Sequence, residues 1–231
     1  MTKNFANELI DTYKNSRKIA FSLAEVLITL GIIGVVAALT LPTLIQNYQK
    51  QATANKVKKF YTNFNQVIRY SELDNGDCNT WNINDSNELY DKYLSKYLKV
   101  VQVQRNIHLY GYFTGGVKFI FADGTQAMCS KESNGFYYFN PIAVCLFFPR
   151  GCSRWYASPD NGTCDYTHST REIFWFILNQ NGKLEPPNLN RDRAYNIQKC
   201  KEFHSITHNG FTDCSTLLYK DNWEFKKDYP W

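Results

Sequence analysis

Two sets of residues in this 231-residue chain carry side chains able to do chemistry. One is Glu25, an acid standing alone in an apolar run; the other is seven cysteines, all downstream of that run. A carboxylate at membrane depth costs about 2.5–3.5 kcal/mol on insertion scales, so it demands a partner and reads as functional. Cys78, Cys129, Cys145, Cys152, Cys164, Cys200 and Cys214 suit an oxidising exterior. Three bridges and one free thiol can be drawn in about a hundred ways, so spacing does not set the connectivity. Cys200, His204 and His208 stand four residues apart and would share a helix face, with Cys214 following, but the spacing matches no strong zinc motif. His108 and His168 are isolated, and lone histidines are usually structural or solvated. The chain has no GxSxG, P-loop, GxGxxG or HExxH segment, and the expectation is that it is not an enzyme.

The element that positions Glu25 runs from Phe21 to Ile45, where 17 of 25 residues are apolar and Glu25 is the only formal charge. As a helix it would be about 37 Å long, enough to cross a hydrocarbon core of about 30 Å. Lys3, Lys14, Arg17 and Lys18 precede it against Glu8 and Asp11, so the positive-inside rule keeps residues 1–20 cytoplasmic and sends the rest out. A secretory signal cut after Val36-Ala37-Ala38 and an uncleaved anchor carrying an unrelated outer domain both fit the hydropathy. Neither uses Glu25. Averaged over the chain, 44% hydrophobic and 20% charged residues describe a globular protein, which excludes disorder and a polytopic membrane protein. The net charge of +5 is spread along the chain and gives no pointer to nucleic acid.

Lys18-Ile19-Ala20, then Phe21-Ser22-Leu23-Ala24-Glu25, then an apolar helix containing Pro42, resembles the N-terminus of type IV prepilins and type II secretion pseudopilins. The resemblance implies that a prepilin peptidase cuts between Ala20 and Phe21 and methylates the new Phe21 amine. It further implies that Glu25 pairs with the Phe21 amine of a neighbouring subunit, two charges that an apolar bundle tolerates only together. The family usually has Gly where this chain has Ala20. Pro42, 21 residues after Phe21, stands where pilins carry a helix proline; it reads either as the end of an anchor or as a kink that melts on assembly. Gly31 and Gly34 permit close helix packing.

Beyond Ile45 the residues turn polar, yet no Pro or Gly intervenes before Gly76. Val57, Phe60, Tyr61, Phe64, Val67 and Ile68 form one apolar stripe. The reading is a single helix of about 50 residues, near 75 Å, with a membrane half (21–45) and an amphipathic half (46–75) docked on a head (76–231). In the head the pattern predicts a short helix over 87–98 and strands near 98–104, 117–122, 125–129 and 172–178, with a further region at 215–219. Asp123-Gly124 predicts a two-residue turn. Hairpin signals without βαβ spacing predict an α+β fold, the long helix packed on a small antiparallel sheet.

The pilin-like resemblance continues through Lys58-Lys59-Phe60-Tyr61, Phe121 to Thr125, Asn179-Gln180-Asn181-Gly182-Lys183 and the closing Asp228-Tyr229-Pro230-Trp231. It implies a Cys200–Cys214 staple, because pilins often staple a C-terminal loop. Cys145–Cys152, across Phe148-Pro149-Arg150-Gly151, is the second expected pair. Major pseudopilins hold calcium in a C-terminal loop; here Asn179 replaces the acid in the stretch from Asn179 to Asn188, which disfavours calcium, and no cofactor is expected. The implied partners are copies of the chain or other pilins, the prepilin peptidase and an inner-membrane assembly platform. The implied function is a structural subunit of a type IV pilus or secretion pseudopilus, held in the inner membrane with its head outside before it joins the filament. A minor pilin that binds a ligand and a non-polymerising anchored protein stay open as alternatives.

Overall fold

A computed structural model describes residues 22–109, 113–131, 141–150, 169–202 and 213–231. Ala20, Phe21, Cys152, Cys164, His168, His204 and His208 lie outside the described residues. The chain divides into two units, Met1–Tyr48 and Gln49–Trp231.

In the first unit the described residues from Leu23 onward are helical. They open helix α1, which spans Leu23–Asn75 and is long and apolar enough to cross a membrane, with mean hydropathy 2.3 in its most apolar 18 residues. None of that window is buried. Pro42 lies inside α1 rather than at its end. Lacking an N–H, it leaves the carbonyl one turn back, at Ala38, without its helical donor.

In the second unit, α1 runs on to Asn75 and stops where Gly76 takes a φ of +78° and its N–H bonds the Glu72 carbonyl at 2.9 Å. The expected stripe is the buried face: Val57, Phe60, Phe64, Val67 and Ile68 are buried together with Thr53, Ala54 and Ser71, while Tyr61 lies partly buried at its border. Next come a short 3-10 turn (Cys78–Thr80) and α2 (Ser86–Glu88), which widens into a π-helical turn at Leu89–Leu94.

Among the described residues, six strands form one antiparallel meander in chain order: β1 (Gln102–Leu109), β2 (Phe113–Ile120), β3 (Gln126–Ser130), β4 (Ala143–Phe148), β5 (Phe174–Leu178) and β6 (Leu184–Glu185). The remaining helices among the described residues are α3 (Ser169–Glu172), α4 (Arg193–Lys201) and α5 (Asp213–Lys220). The architecture is therefore α+β. Two expectations are corrected. Residues 215–219 belong to helix α5, not to a strand. The β2–β3 loop has three residues, Ala122, Asp123 and Gly124, closed by Phe121 N–H to Thr125 O and Gly124 N–H to Phe121 O, both at 3.0 Å. Gly124 sits at φ +77°, the left-handed position a three-residue hairpin loop requires.

Register alternates two buried faces. Phe119, Ala127, Phe147 and Phe174 lie opposite one another on one face, with Val117, Cys129, Cys145 and Phe176 in the next row. Phe60 of α1 stacks on Phe147 with ring centroids 4.4 Å apart at 13°, and meets Phe176 at 5.7 Å. The opposite face carries Met128, Leu146 and Trp175 in line with Lys118, all buried. Burial pulls the Lys118 amine down to about 8. Strands buried on both faces read as unbroken apolar runs, which is why β4, AVCLFF, shows no alternation in the sequence.

Candidate functional site

Glu25 stands in the first turn of α1, and its partner in the structure is local. Ser22 is the residue before the helix. Its Oγ accepts the Glu25 N–H at 3.2 Å, while Glu25 Oε2 accepts the Ser22 N–H and the Ser22 hydroxyl, each at 2.9 Å. Reciprocal bonding of this kind is a capping box, with the carboxylate also placed favourably at the positive end of the helix dipole. The Ser-x-x-Glu spacing was the available sequence signal for it. Glu25 thus keeps its charge satisfied within one turn of its own chain.

The apolar side chains around it are uncovered: Leu23 is 78% exposed and Ile33 64%. A Cβ at Gly31 or Gly34 would meet nothing within 4 Å. Thr29 and Thr40 turn their hydroxyls back onto the Val26 and Val36 carbonyls at 2.9 Å, which hides the polar groups of this stretch inside the helix.

The head grips its part of α1 by more than apolar contact. Asn65 uses its carboxamide on one edge residue, donating Nδ2 to Leu184 O at 3.2 Å and accepting Leu184 N–H at 2.9 Å. Both backbone groups that β6 would expose at the sheet edge are thereby occupied, as an additional strand would occupy them. Glu72 accepts the Cys78 N–H at 3.1 Å and lies over Gly182. The φ of Gly182 is +70°, a backbone that favours glycine, and a Cβ there would fall 2.1 Å from Glu72 Oε1 and make that carboxylate shift.

The cysteines resolve in part. Cys200 and Cys214 are bonded, tying α4 to α5, with Cα atoms 4.8 Å apart. The expected Cys145–Cys152 pair does not form: Cys145 is bonded to Cys129. Register is the reason, because β3 and β4 set these two residues directly opposite, Cα to Cα 4.1 Å, on the face turned to α1. Bonded sulfurs are not available as zinc ligands, so the Cys200–His204–His208–Cys214 spacing loses both its thiolates. Cys78 is a free thiol, buried in the core, and burial with the adjacent Glu72 charge pushes it up to about 12.

In the loop from Asn179 to Asn188, Asn179 Nδ2 donates to Glu185 at 2.9 Å and Asn181 Oδ1 accepts the Lys183 N–H at 3.3 Å. Asn188 donates to the buried Asp213. These carboxamides are turned toward protein partners, and no cluster of three His, Cys, Asp or Glu able to hold a metal occurs among the described residues. The closing motif is held by Arg193, which forks onto Asp221 at 2.6 and 2.7 Å and onto Asp228 at 2.8 and 2.9 Å. Burial alone would raise the Asp221 carboxyl, but Arg193 and Lys226 outweigh it and hold it below the ordinary range.

A groove of about 250 Å³ opens beside α1, with Phe60, Phe64, Leu98, Phe121 and Phe147 as its apolar wall and Lys56, Lys59 and Lys99 among its rim. Asp123 is its one acid and is paired with Lys59 at 3.1 Å. Sequence reasoning did not single out this groove, because Leu98, Phe121 and Phe147 reach it from separate segments.

No curated protein and no solved structure matches the chain. A family model matches from the last residues of the apolar run through the whole head: the chain belongs to a family of unknown function, DUF6613, over residues 43–231.

Proposed function

We propose that the chain is a structural subunit of a pilus or secretion pseudopilus, cut between Ala20 and Phe21 and assembled through helix α1. The observation that carries this reading is the division of labour within that one helix. Residues from Thr53 to Ser71 supply a core face to the head, while the apolar half leaves its most hydrophobic 18 residues wholly uncovered. An apolar surface of that extent is stable only in lipid or against other helices. Glu25 supports assembly over simple anchorage, because a glutamine would close the same capping box without a charge, whereas pairing with a neighbour's amine needs the carboxylate. In the free subunit Ser22 satisfies that carboxylate; in a filament the Phe21 amine of a neighbour would replace or join it. The role is mechanical and not catalytic, and a peptidase and an assembly platform are the partners it requires.

Intact mass of the membrane-extracted protein tests the processing step. A chain beginning at N-methylated Phe21 is expected, and a chain beginning at Met1 or Leu39 refutes the reading. Glu25→Ala is expected to be processed normally yet to be lost from sheared filaments; full incorporation of that variant would favour the non-polymerising anchored alternative.

A further inference from the structure

The groove beside α1 belongs to a larger basic surface at the start of the head. Lys56 Nζ donates to the Pro149 carbonyl at 2.9 Å, and Arg150, the next residue, donates to Gln49 Oε1 at 3.2 Å. Lys50 lies over the Trp231 ring at 5.8 Å. With Lys59 and Lys99 on the groove rim, five cations from three separated segments gather here, and among the described residues Asp123 is the only acid in these contacts. Three of the five stand on α1 within 14 residues of Ile45, where the apolar run ends. An ammonium has three donors, so the single bond from Lys56 to a carbonyl leaves it able to bind an anion.

We propose that this surface contacts the anionic phospholipid headgroups of the membrane that holds the apolar run, with Lys56, Lys59 and Lys99 around a phosphate at the groove mouth. Charge complementarity and chain continuity name the occupant. A basic cluster within a short distance of a spanning segment lies inside the field of the leaflet it faces, and where that leaflet carries anionic lipid each cation favours surface contact by roughly fivefold. An aromatic residue beside the cluster, Trp231, suits the same headgroup layer. The phenylalanine wall gives the glycerol and first methylenes an apolar seat that a free anion would not use. The inference rests on the membrane reading of α1, and the groove adds to it a lipid preference.

The test uses the full chain reconstituted in nanodiscs of phosphatidylcholine alone or mixed with phosphatidylglycerol. A short pulse of an amine-acylating ester is followed by peptide mass spectrometry. Labelling of Lys56, Lys59 and Lys99 is expected to fall several-fold in the anionic discs relative to the neutral ones, and to recover at about 1 M salt, where the screening length drops to about 3 Å. Lys183 and Lys201, exposed elsewhere on the head, are expected to label equally in both. Lys56→Gln with Lys99→Gln is expected to return Lys59 toward its neutral-disc labelling. Equal labelling of the three lysines in both kinds of disc, with the chain embedded, overturns the lipid contact alone. A chain that does not enter discs of either composition overturns the membrane reading and this inference with it.

Discussion

Truncating Phe60 tests whether the amphipathic half of α1 is part of the core of the head or merely rests on it. Phe60 is 5% exposed, stacks on Phe147 at 4.4 Å, and has Phe64, Phe176 and Phe121 at 5.3, 5.7 and 6.4 Å. Phe60→Ala removes the ring from all four neighbours. Core Phe→Ala changes cost about 3–5 kcal/mol, and the offset-stacked pair contributes about 0.5–1.5 kcal/mol beyond area burial. Against a total stability of about 5–15 kcal/mol, the variant should sit near the edge of folding. Phe60→Leu keeps most of the apolar volume and should lose only about 1–2 kcal/mol. The control is Leu73→Ala on the same helix, 81% exposed, which should stay within about 0.5 kcal/mol. Urea unfolding of the detergent-solubilised chain, followed by tryptophan fluorescence, reads all three, since Trp81 and Trp175 are buried in the head. If Phe60→Ala unfolds at the midpoint of Leu73→Ala, the packing argument is refuted, and with it the view that α1 and the sheet form one folding unit over residues 49–231.

Asn65→Leu should destabilise by about 2 kcal/mol, because it strips partners from both the N–H and the C=O of Leu184; hydrogen exchange at Leu184 should quicken in parallel. Replacing Cys200 and Cys214 together by serine opens a bridge spanning 14 residues and should cost about 3 kcal/mol, measured by the same urea titration. Asp123 gives a pH signature. Burial would raise its carboxyl, but hydrogen bonds from Thr125 and Lys59 override this and bring it down to about 2 from 3.8. The folded pKa lies below the unfolded one, so the contribution is complete above about pH 4 and is lost as pH falls toward 2. Asp123→Asn should therefore flatten the stability curve across that interval, and an unchanged slope would refute the pairing.

The local elements were written in the residues to different depths. The helix to Gly76 was legible because its signals are local: no breaker after Pro42, one apolar stripe at helical spacing, and a glycine able to take a positive φ. The strand at 174–178 was legible as a short apolar run, whereas β4 was not, since a strand buried on both faces loses its period of two. Residues 215–219 mislead for a related reason: Ser215, Thr216, Leu217 and Leu218 are all buried although they form a helix, so burial all round hides the helical period. Ser22 and Glu25 form a capping box whose spacing was on view, but the apolar surroundings draw attention to the charge and away from its neighbour three residues back.

Sequence by itself determined what depends on neighbours along the chain: an uncovered apolar half-helix with one carboxylate, an amphipathic continuation, and hairpin signals that exclude a parallel sheet. Tertiary structure decided what depends on register and on segments far apart. It set Cys129 opposite Cys145, although Cys152 is nearer in sequence, because pairing across β3 and β4 brings two Cα atoms to 4.1 Å whatever the chain length between them. It also joined Lys56 and Lys59 of α1 to Lys99 around one phenylalanine wall. A helix face can be counted from a sequence at 3.6 residues per turn, but the partner that covers it is chosen only when the sheet has folded against it.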